Sequence, residues 1–399
     1  MKFDEAIQGD LFALPTFEPL APLLISGEKP PIFVIGCGRH KRKSPTPAKD
    51  LYTSDRFKRS KSIAKNIGSS FFVLSAKHGL LQPNQLVEPY DVDIGTLDPD
   101  TKKQWATEVL QALSELNNGA KVILLAESNY AHPLLLLASE LQCNIEIICP
   151  FINLNLEHIP IWLEQAERVS ARIKDLKKLY AYIDTARESG LTFSFAELSG
   201  NKLPKRGVYV FLDPREQNFL NAGPRIVRVG THAVSSESKS TLRTRLRSHF
   251  GQIDGGGNHR GSIFRLHVGR ALLESQKLGH KYSTWGDGQH ASGEIREKEI
   301  ELEKEVSGYL SNLEVFIIPI DDEPSKDSLR AHVETQLIAL CTEDFEKIDE
   351  TAMDWLGKSS PMLPIVKSGL WNLRDVSKKY NPNDLGSVDH IISMQEQDL

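Results

Sequence analysis

Along the first 150 positions, apolar residues gather in four short runs, 32–35, 71–75, 122–126 and 145–149. Runs of this length, rich in Val, Ile, Leu and Phe, read as buried strands. Between them, apolar positions at helical spacing mark helices over 54–67, 101–117 and 130–141. Buried strands alternating with helices predict a mostly parallel sheet with crossover helices. Trp162, Ala166, Val169, Ile173, Leu176, Leu179 and Tyr182 then recur at helical spacing among charges and predict a connector helix over 161–188.

A second pattern opens at Arg206. Runs at 208–212 and 226–229 read as neighbouring strands, 239–250 as a basic helix, 313–320 as a strand and 330–341 as a helix with one apolar face. The glycine-rich stretch 251–261 reads as a mobile loop, and Pro15, Pro19, Pro22, Pro30 and Pro31 make the start an extended lead-in. The expected division is lead-in 1–31, α/β domain 32–152, helical connector 153–199, α+β domain 200–380 with an insertion at 251–310, and an irregular tail 381–399.

A chain of 399 residues exceeds one ordinary core, in keeping with two domains. No apolar run reaches the ~18 residues a membrane helix needs, and the acidic N-terminus lacks the pattern of a signal peptide, so the expectation is a cytoplasmic protein with no membrane partner. Cys37, Cys143, Cys149 and Cys341 form no CxxC pair, which argues against a disulfide framework or thiolate zinc. The net charge of −5 argues against wholesale coating of nucleic acid, but basic side chains concentrate over 39–65 and 243–270. Local basic patches suit an enzyme that touches phosphates only where it works; solvated helix faces are the alternative.

The second domain carries an ordered set of chemically useful residues. Gly207-Val208-Tyr209 and Arg228-Val229-Gly230 lie on the two strands, Arg245 and His249 four apart on the basic helix, Glu334 on the later helix, and Asn372 beyond it. A phenol or imidazole can relay the proton of an attacking water. A guanidinium matches a scissile phosphate. One carboxylate with waters can hold Mg²⁺ or Mn²⁺. This order resembles the GIY-YIG nuclease superfamily from Gly207 to Asn372, and the helix 242–250 is similar to that of the excision-repair incision nuclease. The resemblance implies a divalent-metal phosphodiesterase acting on DNA. In it Tyr209 and His249 handle protons, Arg245 contacts phosphate, Glu334 holds the metal and Asn372 steadies the site. Arg228 stands where the family usually has its second tyrosine, the spacer between half-motifs is long, and Asn372 lies unusually far from Glu334.

The insertion bears Asn258-His259-Arg260, His267, His280 and His290. No paired-histidine ββα unit for an HNH site is visible, and loop histidines are the default over a zinc set. His259 and Arg260 are expected to touch the DNA backbone or shape its groove.

In the first domain, Gly36-Cys37-Gly38, Lys43, Tyr52, Ser54, Ser75, Lys77, His78 and Asp91 lie after strands or beside them, where open α/β sheets bind ligands. No GKS or GKT follows the glycines, and a third glycine is missing, so neither a P-loop nor a dinucleotide fingerprint is present. The set resembles an uncharacterised bacterial and archaeal α/β family with a Cys-Gly…Leu-Tyr-x-Ser…Ser-Ala-Lys-x-Gly-Leu…Pro-Tyr-Asp pattern. It is also distantly similar to the peroxide-stress DNA-binding proteins. Turn and cap chemistry is the plainer account of the same residues.

Together these expectations describe a DNA endonuclease whose first domain recognises a modified base, with modified phage DNA as partner, in phage defence or restriction. A sharper form makes that domain a DNA glycosylase using Asp91 or Asp93 on a flipped nucleotide. The alternatives are a non-catalytic DNA sensor and a nucleoside-processing enzyme with a DNA-binding appendix.

Overall fold

A computed structural model describes residues 17–25, 29–116, 119–189, 191–198, 202–252 and 255–397. The chain divides into two compact units, Met1–Ala171 and Arg172–Leu399.

In the first unit, helix α1 (Leu20–Ile25) precedes strand β1 (Ile32–Gly36), the short β2 (Thr46–Pro47), and helices α2 (Ala48–Leu51) and α3 (Asp55–Ile67). Next come β3 (Phe71–Ser75), β4 (Gly79–Leu81), β5 (Leu86–Val87), α4 (Pro99–Leu116), β6 (Val122–Leu125), α5 (Ser128–Glu140) and β7 (Ile147–Ile148). The main sheet has the order β4-β3-β1-β6-β7, parallel except for the antiparallel edge strand β4. β1 is the centre, and its Phe33, Val34 and Ile35 are fully enclosed, which is why the run reads as uninterrupted apolar residues. The stretch expected to be an extended lead-in carries α1, with Leu20, Ala21 and Leu24 buried. Of the fourth expected strand, only two residues pair.

Helix α6 (His158–Glu188) begins in the first unit and continues into the second. Its second half belongs to the core of the second unit and is more than a connector. Arg172 donates to Leu340 O at 3.0 Å and Glu346 O at 2.8 Å, the Tyr180 hydroxyl donates to Asp349 and accepts from Ile226 N, and Tyr380 donates to Asp175 at 3.0 Å.

The second unit continues with β8 (Thr192–Ser194), β9 (Gly207–Gln217), β10 (Pro224–Gly230), α7 (Leu242–Phe250), α8 (Ile263–Gln276), α9 (Gly293–Ser311), β11 (Glu314–Pro319), α10 (Leu329–Thr342), α11 (Leu363–Ser368) and α12 (Val388–Gln397). Its antiparallel sheet runs β10-β9-β11-β8. α7 starts at Leu242, three residues later than expected, because the Thr241 hydroxyl accepts Thr244 N and caps it. The insertion contains two full helices, α8 and α9, and the tail expected to be irregular contains α12. Phe211, Phe250, Phe264, Val306, Val315 and Trp371 meet in one core behind the sheet. Each such side chain contributes roughly 1.5–3 kcal/mol by leaving water. Among the described residues, no helix is long and apolar enough to cross a membrane.

Candidate nuclease centre

β9 and β10 bring Tyr209 opposite Gly230. A Cβ on Gly230 would stand 2.4 Å from the Tyr209 hydroxyl, and one on Gly207 would stand 2.6 Å from Ile318 O. The two half-motif glycines are therefore required by close approach: one admits the tyrosine ring, the other the neighbouring strand. A bulge between Ile226 and Arg228 frees the Val227 carbonyl to accept Trp371 N at 2.8 Å. Asn372 clamps the next residue, its amide accepting Val229 N at 3.1 Å and donating to Val229 O at 2.9 Å. The long sequence gap before Asn372 is thus closed by chain that folds back onto β10.

From α7, His249 meets Tyr209 with 2.9 Å between Nε2 and the phenol oxygen. The other ring nitrogen, Nδ1, lies 2.7 Å from Ser262 Oγ, and the Arg245 Nε donates to the Tyr209 hydroxyl at 3.4 Å. Tyr209 and His249 are both buried, and Arg245 is half-buried. Burial, together with Arg245, Arg228 and Arg265, holds the His249 imidazole well below its ordinary value, so the resting ring is neutral and has a lone pair on one nitrogen to accept a hydrogen bond. Arg228 is enclosed behind the phenol, donates to Trp371 O, and lies 4.8 Å from the Phe264 ring centre. Burial lowers its value, while the adjacent Tyr209 opposes that shift.

Glu334 projects from α10, half-buried and without an ion pair among the described residues. Burial pushes its carboxyl up to about 7, Asp375 adds to the rise, and Arg228, Thr231 N and Arg245 oppose it. A carboxylate that is costly to ionise alone is the kind a divalent cation would neutralise. Among the described residues, no group of three or more His, Cys, Asp or Glu is placed to hold a metal ion. One carboxylate completed by waters matches the habits of Mg²⁺ rather than zinc. The donor set fits such a cation.

His259 and Arg260, expected to touch the DNA backbone or shape its groove, make their polar bonds inward and also line a small cleft shared with Arg245. His259 Nε2 accepts Gly286 N at 3.1 Å, so its proton sits on Nδ1 and faces Glu303 at 2.9 Å, while the ring stacks on Trp285. Arg260 grips both oxygens of Glu299, at 2.6 and 3.0 Å, with only 3% of its side chain exposed. Nearby, Arg265 donates to Glu303 and to the carbonyls of His249 and Phe250. The stretch expected to be loose therefore ends in a hydrogen-bonded turn wired to α7. His267 is a core residue pushed down to about 4 by burial, with Arg270 and Arg228 adding to the shift, and His280 and His290 are exposed.

In the first unit the expected ligand residues separate into two groups. Cys37, Ser54 and Asp91 line a cleft of about 760 Å³ at the carboxyl ends of β1 and β6. Ser75, Tyr52, Lys77 and His78 surround Tyr90 instead: Ser75 Oγ is 2.7 Å and Tyr52 Oη 2.8 Å from its hydroxyl, and Ser75 accepts Lys77 N and His78 N. Ser75 and Tyr52 are buried, so their hydroxyls hold a turn together and present nothing to a ligand. Lys43 is exposed and outside the cleft.

Sequence reasoning missed Ser262, which has the ordinary look of a helix cap, and Asp375, for which no motif exists. It also missed Arg56, Asn129 and Tyr130 in the cleft, where the usable signal was the helix start directly after β6.

The family model described as the GIY-YIG domain matches residues 170–398. A family of unknown function, DUF6884, matches residues 32–165. No curated protein and no solved structure matches the chain.

Proposed function

The chain belongs to the GIY-YIG domain family, which makes it a nuclease of that superfamily with DNA as substrate, and on that premise we propose a two-part restriction-type endonuclease. In this reading the second unit hydrolyses the phosphodiester, and the first unit recognises a modified base in phage DNA.

The observation that carries the nuclease chemistry is the buried chain Ser262–His249–Tyr209 with Arg245 across its outer end. With the proton on Nδ1 shared to Ser262, the neutral His249 presents its Nε2 lone pair to the Tyr209 O–H. His249 takes the phenol proton, and the phenolate so formed then takes a proton from the attacking water. Two guanidiniums, Arg228 behind the phenol and Arg245 above it, stabilise that phenolate between the two transfers. Arg245 also offers its outward N–H groups to the scissile phosphate, which draws it off the phenol and opens the path to water. GIY-YIG nucleases generally depend on a divalent metal; held by Glu334, it would offset charge on the departing 3′ oxygen. Asn372 acts at one remove, by fixing the strand that carries Arg228.

The test is incubation of the full chain with Mg²⁺ and either plain plasmid or modified phage DNA. Cleavage restricted to modified DNA supports both parts. Equal cleavage removes base recognition and leaves the nuclease, and no cleavage in Mg²⁺ or Mn²⁺ favours the DNA sensor. The glycosylase variant predicts free base released before strand scission, lost in Asp91→Ala.

A further inference from the structure

The cleft of the first unit has a position, a floor and a charge pattern that together identify a ligand class. From β1 the chain crosses by way of α3 to β3 on one side, and then by way of α4 to β6 on the other. The order reverses at β1, and the crevice between β1 and β6 is where open α/β sheets bind ligands. A volume of about 760 Å³ is ample for a small organic molecule. Gly36 and Gly38 leave the Cys37 thiol as the one side chain of the β1 turn, and its Sγ lies 3.1 Å from the Tyr130 hydroxyl.

Two helices enter N-terminus first, and they are not equivalent. At α3 the Ser54 hydroxyl accepts Phe57 N and caps the helix. At α5 the N-cap is Glu127, whose side chain turns to Arg56 and makes no cap bond. Among the described residues, the N–H groups of Ser128 and Asn129 have no acceptor. That end offers free donors and a helix dipole to an anion, and Arg56, which binds Glu127 through one amino group, has its remaining N–H groups to add. The opposite rim carries Asp91, which has no ion pair among the described residues, and Asp93, 3.7 Å from Arg39. Carboxylates there accept from amino or imino groups.

We propose that this crevice binds a single nucleotide, its phosphate at the α5 N-terminus beside Arg56, its base along Tyr130 with an amino-bearing edge toward Asp91. The proposal rests on the reading that the first unit recognises a base, and it assigns that base a place.

The test follows iodoacetamide alkylation of Cys37 in the full chain by peptide mass spectrometry, with the half-exposed Cys143 as internal control. Saturating dCMP or 5-hydroxymethyl-dCMP should slow Cys37 alkylation at least tenfold and leave Cys143 unchanged. Deoxycytidine should need a concentration more than tenfold higher. Arg56→Gln should erase that preference while nucleoside protection persists, which also shows that the variant folds. Equal protection by inorganic phosphate alone would reduce the crevice to an anion hole and overturn the proposal. So would equal protection by nucleoside and nucleotide, or none by either. If the unprotected chain still prefers modified DNA, base recognition survives and lies elsewhere on the unit.

Discussion

Ser262 Oγ lies 2.7 Å from Nδ1 of His249 while the same hydroxyl accepts Arg265 N and caps α8. One side chain thus begins a helix of the insertion and orients the imidazole that serves Tyr209. Ser262→Ala should lower kcat roughly 10- to 100-fold with little change in KM for DNA, since it removes an orienting partner and no substrate contact. Stability should fall by about 1 kcal/mol through the lost cap. Ser262→Thr, which keeps a hydroxyl, should restore most of the rate. An alanine variant with normal kcat and a normal pH–rate profile would show that the hydroxyl serves only the helix.

Glu334 has a signature separate from cleavage. A carboxyl whose folded value, about 7, exceeds its ordinary 4.5 costs nothing below the ordinary value and destabilises fully once the pH passes the folded one. Without divalent metal, Glu334→Gln should therefore melt close to wild type at pH 4 and above it at pH 8, by at most roughly 3 kcal/mol. Mg²⁺ should raise the melting temperature of wild type at pH 8 and leave the variant unmoved. Cleavage should be lost. An equal Mg²⁺ shift in both proteins would remove Glu334 from the metal site.

Arg245→Lys keeps the charge and loses the fork. Cleavage should drop on the order of 10²-fold, because an ammonium does not reproduce a planar bidentate contact with phosphate. Normal cutting by the lysine variant, measured as initial rates on plasmid, would relegate Arg245 to a basic helix face.

Glu303 is the hub between Arg265 and His259. Burial pushes its carboxyl up, but hydrogen bonds and charge from His259 and Arg265 outweigh that and hold it below its ordinary value. Its stabilisation is therefore present above that ordinary value and is lost as pH falls through the folded one. Glu303→Gln strands Arg265 in the interior and should cost about 3–5 kcal/mol at pH 7. The gap in urea midpoint between variant and wild type should narrow below pH 4.

The position of α6 bears on where the chain can be cut. A chain beginning at Leu191 lacks Arg172, Asp175 and Tyr180, which anchor α10, the 346–349 segment, Tyr380 and β10. It should be unfolded by near-UV circular dichroism, whereas a chain beginning at Glu157 should fold and cut DNA. A folded, active Leu191 fragment would reduce α6 to a connector after all.

Strand and helix periodicity carried most of this architecture into view, because enclosed runs such as 32–35 and 122–125 admit few other readings. The order Tyr209, Arg245, His249, Glu334 was legible for the same reason: each sits at a fixed place on a regular element. Ser262 and Asp375 were not, since their roles depend on what they approach across long stretches of chain. The inward bonds of His259 and Arg260 were not legible, because their partners Glu303 and Glu299 lie far along the chain on α9. Within the basic stretch 39–65, Arg56, Arg59 and Lys61 are matched to Glu127, Glu167 and Asp50.

Arg265 holds the carbonyls of His249 and Phe250 from α8, a helix of the insertion. The extra helices are thus a splint for the proton relay, not an ornament on it. Anyone grafting the GIY-YIG unit onto a DNA-binding module must carry α8 and α9 along with it. Trimming the gene toward the bare motif would leave every signature residue in place and an imidazole held at one nitrogen only, by Tyr209.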